Sequence, residues 1–109
     1  MADFTIKKGD REPSISGNLK LNNAAYDLTG ASVKFNMRPI GSGTPKVNAT
    51  ATIVTAASGA VSYDWGANDT DTAGDFVGEW EVTTSGGKKI TFPNNESENI
   101  KIKISPDIA

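Results

Sequence analysis

Asn68 to Thr84 reads NDTDTAGDFVGEWEVTT, and the fold class turns on how its two halves are understood. The acidic half invites comparison with a calcium loop, in which oxygen ligands recur at positions 1, 3 and 5, glycine stands at 6 and a bidentate glutamate closes position 12. Counted from Asp69, Asp71 and Gly74 fit, but Ala73 takes the fifth place and Trp80 the twelfth. One ligand and the closing carboxylate are therefore wrong. The competing account is a corner: Asp and Thr side chains bond local backbone, Gly74 supplies permissive dihedrals, and Phe76 opens a buried strand. The second half favours the corner. Phe76, Trp80 and Val82 share one parity, with Gly78 a small gap among them, while Glu79 and Glu81 take the other.

The same period of two recurs along the chain in short segments separated by Gly, Asn, Asp, Pro and Ser, with no apolar period of 3.6 residues. Strands are expected over Phe4 to Lys8, Ile15 to Leu21, Ser32 to Arg38, Val47 to Val54, Ala60 to Trp65, Asp75 to Thr84, Lys88 to Phe92 and Asn99 to Ser105. This is an all-β chain, and seven to eight short antiparallel strands suit an immunoglobulin-like β-sandwich. Val33, Phe35 and Met37 should face a core, as should Val61, Tyr63 and Trp65, and Ile90 with Phe92. In NIKIKIS, Ile100, Ile102 and Ile104 alternate with Lys101 and Lys103, and outward lysines on a terminal strand guard against edge-to-edge pairing. Ser85-Gly86-Gly87 supplies the positive φ of a tight hairpin turn, so its two flanking strands should be antiparallel neighbours. Pro39 to Lys46, PIGSGTPK, reads as an exposed, mobile loop.

The 109 residues fit one domain, 1–109, with one core. Eleven basic against thirteen acidic residues leave a net charge of -2, which gives no electrostatic footprint for nucleic acid or an anionic membrane. The chain contains no cysteine and no histidine. Disulfides, thiolate sites and thiol nucleophiles are thereby excluded, and the usual general base and imidazole ligand are missing. No apolar run approaches a membrane span, and MADFTIKKGD lacks the apolar core of a signal peptide. Synthesis in the cytoplasm is the expectation.

Other candidate residues have plain structural readings. Glu79 and Glu81 are about 7 Å apart by strand geometry, within the range used in glycoside hydrolysis, yet nothing near them in the sequence would raise either pKa as an acid catalyst requires. They read as solvated glutamates behind a buried face. Trp65 and Trp80 could stack on a sugar, but their parity with other apolar residues points to the core. The acceptor tripeptides beginning at Asn48, Asn68 and Asn95 match a glycosylation pattern that arises by chance in a chain rich in Asn and Thr. DTAGDF also resembles the approach to the sixth strand of immunoglobulin-like sandwiches, with Phe76 in the place of the corner Tyr and Gly78 in that of the Cys.

Three pieces in order, DLTGASVKFNMR at Asp27 to Arg38, YDWGANDTDTAGDFVGEWEVT at Tyr63 to Thr83 and GGKKITFPN at Gly87 to Asn94, together with the opening FTIKKGDREPSI, resemble a tailed-phage module. It is the immunoglobulin-like N-terminal domain of siphophage baseplate upper proteins, found also as small standalone virion proteins. The resemblance implies a non-enzymatic building part of a virion, with no catalytic residue, no cofactor and no metal. Its implied partners are other virion structural proteins, with homo-oligomers open and neither nucleic acid nor membrane involved. The sequence ends at Ala109, before the helical stretch and receptor-facing region that follow the domain in baseplate upper proteins. Decoration of a capsid, neck or tail tube therefore stands beside a tail or baseplate location. A carbohydrate-binding module, with exposed aromatics stacking on bacterial surface sugars, is the rival class.

Overall fold

Alternating apolar residues set the strands, and the way those strands pair determines the rest. The computed structural model describes residues 3–93 and 100–106. Within them the strands are β1 (Phe4–Lys7), β2 (Ile15–Asn18), β3 (Lys20–Leu21), β4 (Ala24–Ala25), β5 (Ser32–Pro39) and β6 (Val47–Thr50). Then follow β7 (Thr52–Thr55), β8 (Ala60–Tyr63), β9 (Gly74–Thr83), β10 (Lys89–Phe92) and β11 (Ile100–Ser105), with a short 3-10 turn at Ala56–Ser58. One sheet runs β1-β11-β9-β5-β6, with β10 beside β9; a second runs β2-β8-β7; β3 and β4 form a small ribbon. The chain is a β-sandwich, and the neighbour orders β11-β9-β5 and β2-β8-β7 are those of an immunoglobulin-like fold.

β9 is the central strand. It pairs along its length with β5, from Ser32↔Thr83 to Pro39↔Phe76, and its other edge is shared end to end by β11 and β10. The β9–β10 hairpin turns where Ser85-Gly86-Gly87 places it, with Gly87 at φ 83° and Thr84 accepting the Gly87 N–H. The face of β9 that carries Phe76, Trp80 and Val82 is buried, and a Cβ on Gly78 would lie 2.9 Å from Ile102 and 3.2 Å from Phe35. Gly78 is the gap into which both side chains fit.

Across the sandwich, aromatic rings join the two sheets. Phe35 stacks on Tyr63 at 5.2 Å and meets Trp65 edge-on at 5.8 Å and Trp80 at 4.9 Å. Val33, Met37, Val61, Phe92, Ile102 and Ile104 are among the residues buried with them, whereas Ile90 and Ile100 are only half-buried.

Three expectations change. Val47 to Val54 is two strands in different sheets, broken at buried Ala51, whose N–H is taken by Val33. The alternation does not reveal the break, because Val47, Ala49, Ala51 and Ile53 all stay turned inward as the chain crosses from one sheet to the other. Ile15 to Leu21 divides in the same way at buried Leu19. The third change concerns β11, which is not an edge. β1 returns to lie against it in parallel, from Phe4↔Ile102 to Lys7↔Ser105, the single departure from antiparallel pairing among the described residues. Lys101 and Lys103 face solvent on the outer surface of the sheet, and the exposed edge beyond them belongs to β1.

Candidate binding groove

The acidic corner is built by its carboxylates. Asp69 accepts the Tyr63 hydroxyl at 2.6 Å and the Gly66 N–H at 2.6 Å. Asp71 faces another way, paired with Lys46 at 2.5 Å and taking the Thr72 hydroxyl at 3.0 Å. Between them Thr70, 1% exposed, donates its hydroxyl to the Asp10 carbonyl at 2.7 Å, and its own carbonyl accepts the Gly9 N–H. The corner thus fastens residues 9–13 under the end of the sandwich, helped by Arg11 donating to the Trp65 carbonyl and the Trp65 indole donating to the Pro13 carbonyl.

These bonds set the local electrostatics. The bond from Lys46 and then that from Thr72 hold the Asp71 carboxyl below the ordinary range, while burial, followed by the bond to Asp69, pushes the Tyr63 hydroxyl up. Lys46 closes the Pro39 to Lys46 connection, so its pairing with Asp71 ties that exposed loop to the corner. Because Asp69 and Asp71 are committed to different neighbours, millimolar calcium should leave the melting temperature where a chelator leaves it. A calcium-dependent rise of several degrees would show that the corner rearranges around an ion.

Glu79 and Glu81 lie half-buried on the outer face of β9, opposite Asn36 and Lys34 of β5. Lys89 stands 3.9 Å from Glu81. Trp65 and Trp80 are 1% and 2% exposed, so neither ring presents a face to solvent. Asn48 and Asn68 are exposed, and the Asn95 tripeptide lies outside the described residues.

A hollow of about 640 Å³ lies elsewhere, on the flank between the start of β1 and β2. Phe4, Ile15, Leu19, Trp80, Phe92 and Ile100 line its apolar part. Asp3, Ser16, Asn18 and Lys20 are on its polar side, with the turn Asn22-Asn23. That turn joins β3 to β4 with φ of 55° and 65°, the two positive values of a type I′ hairpin. Two adjacent asparagines between Leu21 and Ala24 were its sequence signal, obscured by reading Ile15 to Leu21 as one strand. Gly17 is the second feature that the pattern alone left unread. A Cβ there would sit 2.9 Å from the Trp80 indole nitrogen, so only glycine lets β2 cross the ring this closely.

No protein-family model matches the sequence, and no curated protein matches it. Among solved structures, the fold is similar to that of CopC from Methylosinus trichosporium OB3b, with a TM-score of 0.55 over 100% of this chain and 89% of that one. At 11% identity this likeness speaks for the β-sandwich and for nothing finer.

Proposed function

We propose that the chain is a non-enzymatic structural protein of a tailed-phage virion, a tail or baseplate component that works by binding other virion proteins. The resemblance of its DLTGA, DTAG, EWEV and ITFP segments to the baseplate upper module supports this reading. The observation that carries the binding role is the open flank of the sandwich, where the edge of β2 borders a groove of about 640 Å³. Use as a capsid, neck or tail-tube decoration protein rests on the same surface. Sugar stacking is less well supported, because both indoles are buried and pair with Phe35 in the core. The proposed place of action is the virion, after synthesis in the host cytoplasm.

Virions are built by symmetric repetition, so many weak contacts suffice where attachment is multivalent. Quantitative mass spectrometry of washed particles should find the protein at a fixed, integral ratio to the major tail or capsid protein. Its absence from particles, despite expression during infection, would remove the structural role.

A further inference from the structure

We infer that the open flank is a strand-accepting site: an extended segment of a partner polypeptide adds to the free edge of β2 and seats alternate side chains on the groove floor. The inference rests on the binding role proposed above and names its site and the chemistry of its partner.

The backbone of β2 supplies the first argument. Among the described residues β2 pairs only with β8, and Leu19, just beyond it, donates its N–H to the Gly59 carbonyl on the β8 side. Backbone groups alternate along an antiparallel strand, so Gly17 and Ile15 also face β8, while Ser16 and Asn18 turn their N–H and C=O outward. Neither residue finds a loop, turn or side-chain partner for those groups among the described residues. The edge carries no charged side chain from Ile15 to Asn18, the kind of guard that β1 has in Lys7.

The floor supplies the second. The Trp80 indole N–H donates to no acceptor among the described residues and lies directly beneath Gly17, where no side chain covers it. An incoming main chain could supply a carbonyl here as well as the alternating donors and acceptors that the edge lacks.

Charge selects among occupants. Among the described residues the lining carries one acid, Asp3, and one base, Lys20, which suits neither a polyanion nor a polycation. A saccharide needs exposed ring faces to stack on, and the groove offers a single half-buried ring, Phe4, beside Trp80 and Phe92 at 2% exposed each. An uncharged, extended backbone with apolar residues at every second position matches both edge and floor, in the manner of β-strand addition. Four residues of β2 offer a contact of about 13 Å.

The probe is a displayed library of heptapeptides alternating apolar and polar positions, selected on the immobilised full chain and followed by amide NMR with the enriched peptides. The expected result is perturbation centred on the Ser16 and Asn18 amides and the Trp80 indole N–H. Ser16→Pro should weaken binding about tenfold or more, since it deletes an outward N–H and leaves the ladder to β8 intact. N-methylation of alternate peptide amides tests the same bonds without altering the protein, and should abolish binding in one register only.

Enrichment no greater on wild type than on Ser16→Pro, or perturbation confined to other surfaces, overturns the inference. So does a shift of the Trp80 indole produced by maltoheptaose and not by peptide, or self-association in sedimentation that Ser16→Pro abolishes. Virion incorporation is scored separately: a protein found in particles but blind to peptides loses this site only, whereas one that binds peptides but is missing from particles loses the virion role only.

Discussion

Trp80→Ala should cost about 3–5 kcal/mol of folding stability, as truncation of a buried aromatic does. For a small domain holding about 5–15 kcal/mol in all, this removes between about a fifth and the whole of the stability, so the variant is severely destabilised or unfolded. The size of the effect comes from position: Trp80 sits on the central strand, pairs with Phe35 at 4.9 Å and underlies Gly17 of the opposite sheet. Its loss would detach β2 from β9 as well as leave a cavity. Glu79→Ala, one residue away on the outer face, should shift the denaturation midpoint by no more than about 0.5 kcal/mol. Urea titration of the two variants side by side checks the inside and outside of β9 together, and a wild-type midpoint for Trp80→Ala would mean that the two faces are exchanged.

The second large effect is expected at the corner. Asp69→Ala strands the Tyr63 hydroxyl and the Gly66 N–H, both of which bond one carboxylate oxygen, at a cost of about 2–3 kcal/mol. Tyr63→Phe removes only the first bond and should cost about 1 kcal/mol, with the double variant no worse than Asp69→Ala alone. Additive losses in that cycle would show that the pair does not act as a unit. The same contact has a pH signature. Burial and the bond to Asp69 raise the folded-state pKa of Tyr63, so its contribution is complete below the ordinary tyrosine range near pH 10 and is lost as pH rises through and beyond it. Wild type should therefore lose stability above about pH 10 more steeply than Tyr63→Phe, as read by chemical denaturation at stepped pH.

Much of this architecture was legible because the sandwich is built from short strands, each buried on one side. Val33, Phe35 and Met37, or Phe76, Trp80 and Val82, announce their face by parity alone, and Ser85-Gly86-Gly87 announces its turn by dihedral need. Partnership is a different matter. Nothing within Phe4 to Lys7 says that it will lie parallel to a strand nearly a hundred residues away, and Ala51 changes sheets without disturbing the alternation around it. The groove was hidden for a related reason. It exists because, among the described residues, β1 and β2 each leave an edge unpaired, and an unpaired edge is a property of the assembly of strands that no single strand encodes.

The segments that carry the phage resemblance prove to be joints of the frame. Asp27 accepts both the N–H and the hydroxyl of Thr29 in a local turn that drops Leu28 into the core, and the DTDTAG corner, Asp69 to Gly74, fastens the β1–β2 connection through Thr70. Residues spent in this way report architecture first. The surface proposed to bind uses Ser16, Gly17 and Asn18, whose identities look like an ordinary weak strand until Trp80 is found beneath them.

The parallel alignment of β1 with β11 also determines how the molecule bears tension. A chain drawn out through the start of β1 and the end of β11 leaves at opposite poles, so a pull on both sides slides the two strands along each other. Their ladder, Phe4↔Ile102 through Lys7↔Ser105, is then loaded in shear, with every bond sharing the force, whereas a terminal antiparallel hairpin would peel open one bond at a time. A module strung between neighbours through these two strands would resist stretching with its whole terminal ladder at once.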